Sequence, residues 1–268
     1  MVADEDYDAA RRILAEAGEW DDDGDRDTLD KLLGGRVKLR QPAAGYRVAI
    51  DPVLLAASVP VAATGCLLDA GTGVGAAALC FARRVPGARV AGLELQPEFA
   101  RLARENVALN DMDDRVSIVV GDILSPPPDL APAAWDHVIA NPPHLAVGRA
   151  DPPPRAAKAT AQVEIAATLA DWVGYALRMV RPKGSVTFIH RADRLDELLA
   201  LFHGRAGGIV VFPLWPKVGR AAKRVIVRAR PDVGTPMRLA AGLVLHEEAG
   251  GYTADALAIL RDGAALDL

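Results

Sequence analysis

The chain has 268 residues, and half of them are apolar, so its length and composition allow one large α/β domain with a sizeable core. No apolar run reaches the length of a membrane span, and the acidic start is unlike a signal peptide, which argues against a membrane or exported protein. Cys66 and Cys80 lack the spacing of metal ligands or of a redox pair, so we expect core positions and a reduced, cytoplasmic protein.

The net charge of −4 hides an uneven distribution along the chain. Residues 1–30 hold twelve acidic and three basic side chains, which leaves 23 acidic and 28 basic side chains in residues 31–268. We therefore predict an acidic arm at 1–30 and a mildly basic domain at 31–268. Such a domain is compatible with a polyanionic partner, but an acidic tail that only aids solubility explains the charges equally well.

The first predicted elements of the domain are two short strands, 36–40 and 46–50, joined by a turn that contains proline and glycine. Asp51 and Pro52 then have the residue types of a helix start, with the aspartate as N-cap and the proline at the first helical position.

Predicted strands and helices alternate over the next hundred residues. Short apolar runs predict strands at 66–70, 88–93, 116–120, 135–140 and 185–190. Helical apolar spacing predicts helices at 76–85, 97–110, 162–180 and 195–203. This alternation predicts a doubly wound, parallel sheet that is covered by helices on both faces.

The pattern changes in the last quarter of the chain. Two predicted strands, 208–212 and 224–228, are separated by about a dozen residues without a helical pattern, which indicates an antiparallel pair with a long loop. The predicted fold class is thus α/β, with a doubly wound, mostly parallel seven-stranded sheet and a final antiparallel strand. A short strand at 243–245 and a helix at 253–260 follow as an extension.

Polar and glycine-rich segments follow three consecutive predicted strands, at the edge where doubly wound sheets bind ligands. The turn at 69–75 reads Asp-Ala-Gly-Thr-Gly-Val-Gly, and its glycines permit a tight turn and the close approach of a ligand. It lacks the Gly-Lys-Ser/Thr ending of a P-loop, and its glycine spacing is shorter than the dinucleotide fingerprint. Glu94 suits a ribose diol, and Asp122 with the next backbone N–H suits an adenine edge.

The segment Asn141-Pro-Pro-His144 follows the predicted strand at 135–140. An exocyclic amine on an aromatic base is a poor nucleophile, because its lone pair is delocalised into the ring. Two acceptors on its N–H bonds, the Asn141 side-chain oxygen and the Pro142 carbonyl, favour a pyramidal nitrogen whose lone pair points at an electrophile. The fixed proline φ pre-aims that carbonyl. For the segment alone, a proline-rich loop that closes a strand remains the alternative.

The glycine turn and the two carboxylates resemble the S-adenosyl-L-methionine site of class I methyltransferases. The resemblance implies that Asp69 and its turn lie near the methionine part, that Glu94 binds the ribose hydroxyls, and that Asp122 with Ile123 reads the adenine. By a weaker match, Asp51 closes over the methionine end. The cofactor-binding residues implied are Asp51, Asp69, Ala70, Gly71, Gly73, Gly75, Glu94, Leu95, Asp122, Ile123 and Asn141. No metal site is expected.

The segment at 141–144 is similar to the [Asn/Asp]-Pro-Pro-aromatic signature of amino-group methyltransferases, which act on adenine N6 or guanine N2 of nucleic acids or on protein glutamine. The catalytic residues that this signature implies are Asn141, Pro142, Pro143 and His144. The fourth position in the signature is Tyr or Phe, which stacks on the target base. Histidine can also stack, but it offers less aromatic area.

Longer segments resemble the bacterial tRNA1(Val) adenine-37 N6-methyltransferases over about residues 30–265. The matching stretches are 34–42, 45–47, 51–55, 214–217, 222–228 and 243–253. The resemblance implies transfer of a methyl group from S-adenosyl-L-methionine to adenine N6 in tRNA. Guanine N2 in rRNA, glutamine N5 in a protein, and a cofactor-binding RNA module with lost catalysis remain alternatives.

Basic side chains near the end of the chain partly support an RNA partner. Between Lys217 and Arg238 there are seven Lys or Arg residues and one acid, Asp232. The residues expected to contact RNA phosphates are Lys217, Arg220, Lys223, Arg224, Arg149, Arg155 and Lys158. A solvated basic face is the alternative interpretation of the same charges.

Overall fold

A computed structural model describes residues 27–43, 47–60, 65–143 and 167–268. Four predicted site residues lie outside the described residues: His144, Arg149, Arg155 and Lys158. The first 26 residues of the predicted arm lie outside them as well. Its last four residues belong to strand β1 (Asp27–Leu32), which spans the predicted boundary at residue 30.

The domain begins with an antiparallel hairpin formed by β1 and β2 (Val37–Pro42). The predicted strand at 36–40 is confirmed, but its partner precedes it in the chain. The predicted strand at 46–50 is wrong, because its described residues, 47–50, form no strand.

The turn of this hairpin explains the different pairing. Leu33, Gly34 and Gly35 all have positive φ angles, of 52°, 64° and 88°, and this conformation reverses the chain tightly before β2. The segment after the hairpin contacts it through side chains instead of a strand ladder: Arg47 Nη1 donates to Thr28 Oγ1 over 2.8 Å.

The remaining elements alternate strongly. In chain order they are α1 (Asp51–Ala57), β3 (Cys66–Ala70), α2 (Ala76–Arg84), β4 (Arg89–Glu94), α3 (Pro97–Leu109), β5 (Val116–Val120), β6 (Trp135–Ala140), α4 (Leu169–Met179), β7 (Val180–Arg191), α5 (Leu195–Phe202), β8 (Gly207–Trp215), β9 (Arg224–Arg230), β10 (Arg238–Leu239), β11 (Leu243–Val244) and α6 (Ala254–Leu260).

Two helix starts differ from the predictions. Helix α1 has Ile50 as its N-cap, and the Asp51 side chain makes no cap hydrogen bond. Helix α4 begins at Leu169 rather than at 162, because Thr168 and Asp171 form a capping box: each side chain accepts a hydrogen bond from the other's backbone N–H. Residues 162–166 lie outside the described part of the chain.

The large sheet has the order β10-β8-β9-β7-β6-β3-β4-β5, with β11 also paired to β8. Strand β9 is antiparallel to both of its neighbours, and the other pairs are parallel. The mostly parallel sheet with one antiparallel strand is therefore confirmed. The seven predicted strands are present, and the two-residue strands β10 and β11 bring the sheet to nine within the described residues.

Helices cover both faces of this sheet. Helices α1, α2, α3 and α6 pack with the hairpin on one face, where Leu54, Leu55 and Leu79 are fully buried. Helices α4 and α5 cover the other face, where Phe188 and Phe202 are fully buried. Because every central strand is buried on both sides, the strands read as continuous apolar runs.

The hairpin is fastened to helix α3 by two side-chain amides one helical turn apart. Asn106 and Asn110 each accept a hydrogen bond from a backbone N–H of β2 and donate one to a β2 carbonyl, at Arg40 and Lys38 respectively. Both asparagines are buried, and their side chains satisfy backbone N–H and C=O groups of β2 at Lys38 and Arg40.

The cysteines lie in different surroundings. Cys80 is fully buried, and burial raises the pKa of its thiol to about 12, as expected for a small core residue. Cys66 is half-buried at the start of β3. Within the described ranges, no helix is both long and apolar enough to cross a membrane.

Candidate active site

The carboxyl ends of β3, β4 and β6 meet at one edge of the sheet. Ala70, the last residue of β3, pairs with Leu93 of β4 on one side and with Ala140 of β6 on the other. The glycine turn, Glu94 and Asn141 therefore leave the sheet side by side. The structure thus brings together three groups that are far apart in sequence.

The glycine turn folds back onto β4. The backbone N–H groups of Gly71 and Thr72 donate to Leu93 O over 2.8 and 2.9 Å. Gly71, Gly73 and Gly75 have φ angles of +69°, +58° and +89°, which side chains other than glycine rarely adopt. The turn thereby exposes backbone close to any ligand at this edge.

Asp69 lies inside the turn. Its buried carboxylate accepts hydrogen bonds from Thr72 Oγ1 (2.6 Å) and from Ala78 N (3.2 Å). Burial raises the pKa of Asp69 to about 7, and the charge of Glu94 adds to the rise, whereas the two hydrogen bonds oppose it. The contacts assign Asp69 to shaping the turn and the start of α2.

Glu94 is buried at the end of β4, and both of its oxygens are held by backbone. Oε2 accepts from Gly73 N (2.8 Å), and Oε1 accepts from Gln96 N (2.9 Å). A carboxylate has about four acceptor positions, so each oxygen can still accept a hydroxyl hydrogen bond. The backbone bonds orient the group without using its full capacity.

The next strand end brings a second carboxylate to the same edge. Asp122 follows β5, which pairs with β4, and its Oδ1 accepts from Leu124 N over 2.9 Å. Leu95 and Leu124 are about half exposed here, while Ile123 is buried. Exposed leucines beside two oriented carboxylates fit a ligand with one flat apolar part and several hydroxyl or amino groups.

Asn141 carries a polar atom without a partner. Its Oδ1 is buried, and it accepts no hydrogen bond within the described part of the chain. Buried side-chain oxygens are nearly always hydrogen-bonded, so an orphan at a ligand edge indicates a donor that arrives with a ligand. Pro142 is buried and Pro143 is exposed, whereas their neighbour His144 lies outside the described residues.

Asp51 reaches this edge from α1, but not as predicted. Its Oδ2 accepts from Arg224 Nε over 3.1 Å. Burial raises the pKa of Asp51, and the guanidinium of Arg224 opposes that rise. Arg224 therefore has a carboxylate partner in this state, although the sequence predicted it as a phosphate contact.

The other described basic residues of the prediction follow β8. Because β8 runs parallel to β7, the loop at 216–223 emerges at the ligand edge. Arg220 and Lys223 are exposed there, and Lys217 Nζ donates to Glu248 O over 3.2 Å.

Sequence reasoning missed two residues at this edge. Thr72 supplies the hydroxyl that binds Asp69. Trp172 packs on Gly71: a Cβ placed on this glycine would lie 2.6 Å from Trp172 Cη2. Neither was detectable, because a threonine in a glycine turn and an aromatic residue in a helix are both common. The described residues contain no group of three His, Cys, Asp or Glu able to hold a metal ion.

Known proteins with related sequences point to one enzyme class. A tRNA1(Val) (adenine(37)-N6)-methyltransferase of Porphyromonas gingivalis is 34% identical over 59% of this chain and 64% of its own length. The enzyme of the same name from Aeromonas salmonicida is 29% identical over 77% of this chain and 85% of its own length. The aligned part thus spans just under two thirds of the first relative.

A solved structure agrees in fold. The crystal structure of a predicted O-methyltransferase, protein Atu636 from Agrobacterium tumefaciens, matches with a TM-score of 0.67 and 25% identity. The match covers 81% of this chain and 98% of that one. The predicted Rossmann-like methyltransferase fold is confirmed. The sequence model of the methyltransferase small domain family matches residues 47–186, more than half of the sequence, and the chain belongs to that family.

Proposed function

We propose that this chain transfers a methyl group from S-adenosyl-L-methionine to N6 of an adenine in tRNA, of the position-37 type. The observation that carries the proposal is the buried Oδ1 of Asn141 beside the glycine turn, which has no hydrogen-bond partner among the described residues. The adenine-N6 tRNA methyltransferase names of the relatives from Porphyromonas gingivalis and Aeromonas salmonicida support adenine and tRNA as the target.

The residues at the ligand edge fit this cofactor. Glu94 keeps acceptor positions for the two ribose hydroxyls, and its orientation is set by two backbone bonds. Asp122 with the backbone of Ile123 suits the adenine edge, and the exposed Leu95 suits its flat face. In the glycine turn, nothing lies within 4 Å of a Cβ built on Gly73, so the methionine part can approach the backbone there. When bound, the cofactor supplies a methyl group on a positively charged sulfur.

The chain itself contributes positioning. Asn141 Oδ1 and the Pro142 carbonyl accept the two N–H hydrogens of the target amine, which localises its lone pair. With S-adenosyl-L-methionine bound, this lone pair would face the methyl group that the positively charged sulfur would supply as the electrophile. The methylated nitrogen loses one proton to solvent, so no strong general base is required.

We propose that the tRNA approaches over the loop at 216–223. The exposed Arg220 and Lys223 are suited to phosphate, and Lys217 stands beside them. Arg224 joins them once its bond to Asp51 opens. Arg149, Arg155 and Lys158, and the proposed stacking residue His144, stay part of the sequence-based proposal, but they lie outside the described residues.

We also propose a division into an acidic arm at residues 1–30 and a methyltransferase domain at residues 31–268, with strand β1 (Asp27–Leu32) spanning the boundary. A tRNA substrate would place the reaction in the cytoplasm.

The test is mass spectrometry of nucleosides from tRNA incubated with the purified chain and S-adenosyl-L-methionine. We expect N6-methyladenosine, and an Asn141→Ala variant should lower kcat roughly a hundredfold, because one positioning bond is lost. Asn141→Asp, which keeps an acceptor, is the matched control and should retain more activity. N2-methylguanosine as the only methylated nucleoside, or cofactor binding without any methylated nucleoside, would contradict the proposal.

A further inference from the structure

Trp172 occupies a fixed place in the first turn of α4. The capping box anchors this turn, and Trp172 N donates to Thr168 O over 3.1 Å. The side chain is half-buried and packs against the core cluster of this sheet face. Its position is therefore set by the helix and not by a loose loop.

The six-membered ring of the indole lies against the glycine turn. A Cβ on Gly71 would meet Trp172 Cη2 at 2.6 Å and Cζ3 at 3.1 Å. At Gly73, two residues further on, nothing lies within 4 Å of such a Cβ. The contact is thus specific to the residue at which the turn leaves the sheet.

The same place adjoins the proposed amine site. Ala70 and Ala140 are paired in the sheet, so Gly71 and Asn141 are the next residues on neighbouring strands. Trp172 therefore contacts the residue whose neighbour across the sheet is Asn141.

The methyl donor carries a positive charge on its sulfur, and the reaction geometry limits where this sulfur can lie. In methyl transfer the sulfur, the methyl carbon and the amine nitrogen must be in line, with the reacting atoms roughly 3 to 3.5 Å apart before reaction. An amine held by Asn141 would therefore require the sulfur near the ends of β3 and β6, beside the turn that Trp172 contacts. This sulfur is positive in the donor and neutral in the product.

Indole is the aromatic group that attracts cations most strongly. We propose, resting on the function proposed above, that Trp172 is a positioning residue that binds the charged methyl donor in preference to its neutral product. Asp69 and Glu94 also attract the positive sulfur, but they have backbone or side-chain partners and are unchanged when Trp172 alone is replaced.

Binding measurements on the full chain without RNA test this inference. Calorimetry with S-adenosyl-L-methionine and with S-adenosyl-L-homocysteine gives two dissociation constants for wild type, Trp172→Phe and Trp172→Leu. For the leucine variant we expect roughly five- to thirtyfold weaker donor binding and less than twofold weaker product binding. The phenylalanine variant should fall between.

The control is Trp135→Phe, the same exchange at the opposite end of β6, which should leave both constants unchanged. A second readout is tryptophan fluorescence, whose change on donor binding should disappear in Trp172→Phe and persist in Trp135→Phe. Equal losses for donor and product in both Trp172 variants, or no loss for either, would overturn the inference alone. Failure of wild type to bind either ligand would overturn the proposed function as well.

Discussion

The buried carboxyl of Asp69 should make stability depend on pH in an unusual direction. Its pKa is raised from 3.8 to about 7 in the folded chain, chiefly by burial. Between these values the folded state holds a proton that the unfolded state has released. The stabilising contribution is therefore fully present below pH 3.8 and is lost as the pH rises through about 7.

The size of the effect follows from the shift. Each pKa unit corresponds to about 1.4 kcal/mol, so roughly three units give at most about 4 kcal/mol in the free energy of unfolding. Asp69→Asn keeps an oxygen that can accept from Thr72 and Ala78 but cannot titrate. Between pH 4 and pH 8, the free energy of unfolding of the wild type should fall by most of these roughly 4 kcal/mol relative to that of the asparagine variant.

Urea unfolding at half-unit pH steps measures the free energy of unfolding of the wild type and of Asp69→Asn. Asp136→Asn is the control with the opposite sign. Despite partial desolvation, the net effect of bonds from Cys66 N and Arg181 holds the pKa of Asp136 below 3.8, so its contribution is lost as pH falls through that lower value. A constant difference between wild type and Asp69→Asn from pH 4 to pH 8 would refute the assignment of a buried, proton-binding Asp69.

Two further pairs of variants separate local effects. Gly71→Ala should destabilise the chain by roughly 2 to 4 kcal/mol in urea unfolding, because it adds a collision with Trp172 to the strain of a positive φ, whereas Gly73→Ala meets only the strain, about 1 to 2 kcal/mol. Equal losses would mean that the indole does not fill that space. Glu94→Ala should weaken S-adenosyl-L-homocysteine binding at least tenfold in calorimetry, since a hydrogen bond to a charged group is worth about 1.5 to 3 kcal/mol. Glu98→Ala, on the exposed side of α3, should change nothing, and unchanged affinity in Glu94→Ala would remove Glu94 from the cofactor site.

Sequence patterns determined most of the central sheet because its signals are local. The apolar runs at 66–70 and 116–120 each gave a strand with the predicted bounds, the first almost entirely buried and the second at the sheet edge with alternating burial. Proline at 97 likewise started α3 as predicted, since its missing N–H is not needed at a helix start. Glu94 could be placed at a strand end because the apolar run before it is also a local signal.

The tertiary structure was needed to identify which strands pair and which side chains bind each other. The strand at 36–40 was recognised, but its partner depended on the left-handed turn at 33–36, which no single residue of that segment announces. Asp51 has the composition of an N-cap, yet the guanidinium of Arg224, 173 residues away in the chain, takes its carboxylate. Local preference is weak, about 1 kcal/mol for a cap, so a distant partner can override it.

The sequence by itself therefore determined the α/β fold class, the strand ends at one edge, and the polar groups that follow them. Only the tertiary structure decided how those groups are used. It turned Asp69 inward to bind Thr72 and Ala78, and within residues 27–43, 47–60, 65–143 and 167–268 it gave Asn141 Oδ1 no hydrogen-bond partner. It also set Trp172 on Gly71, because contacts between residues a hundred positions apart depend on packing and leave no periodic signal in the chain.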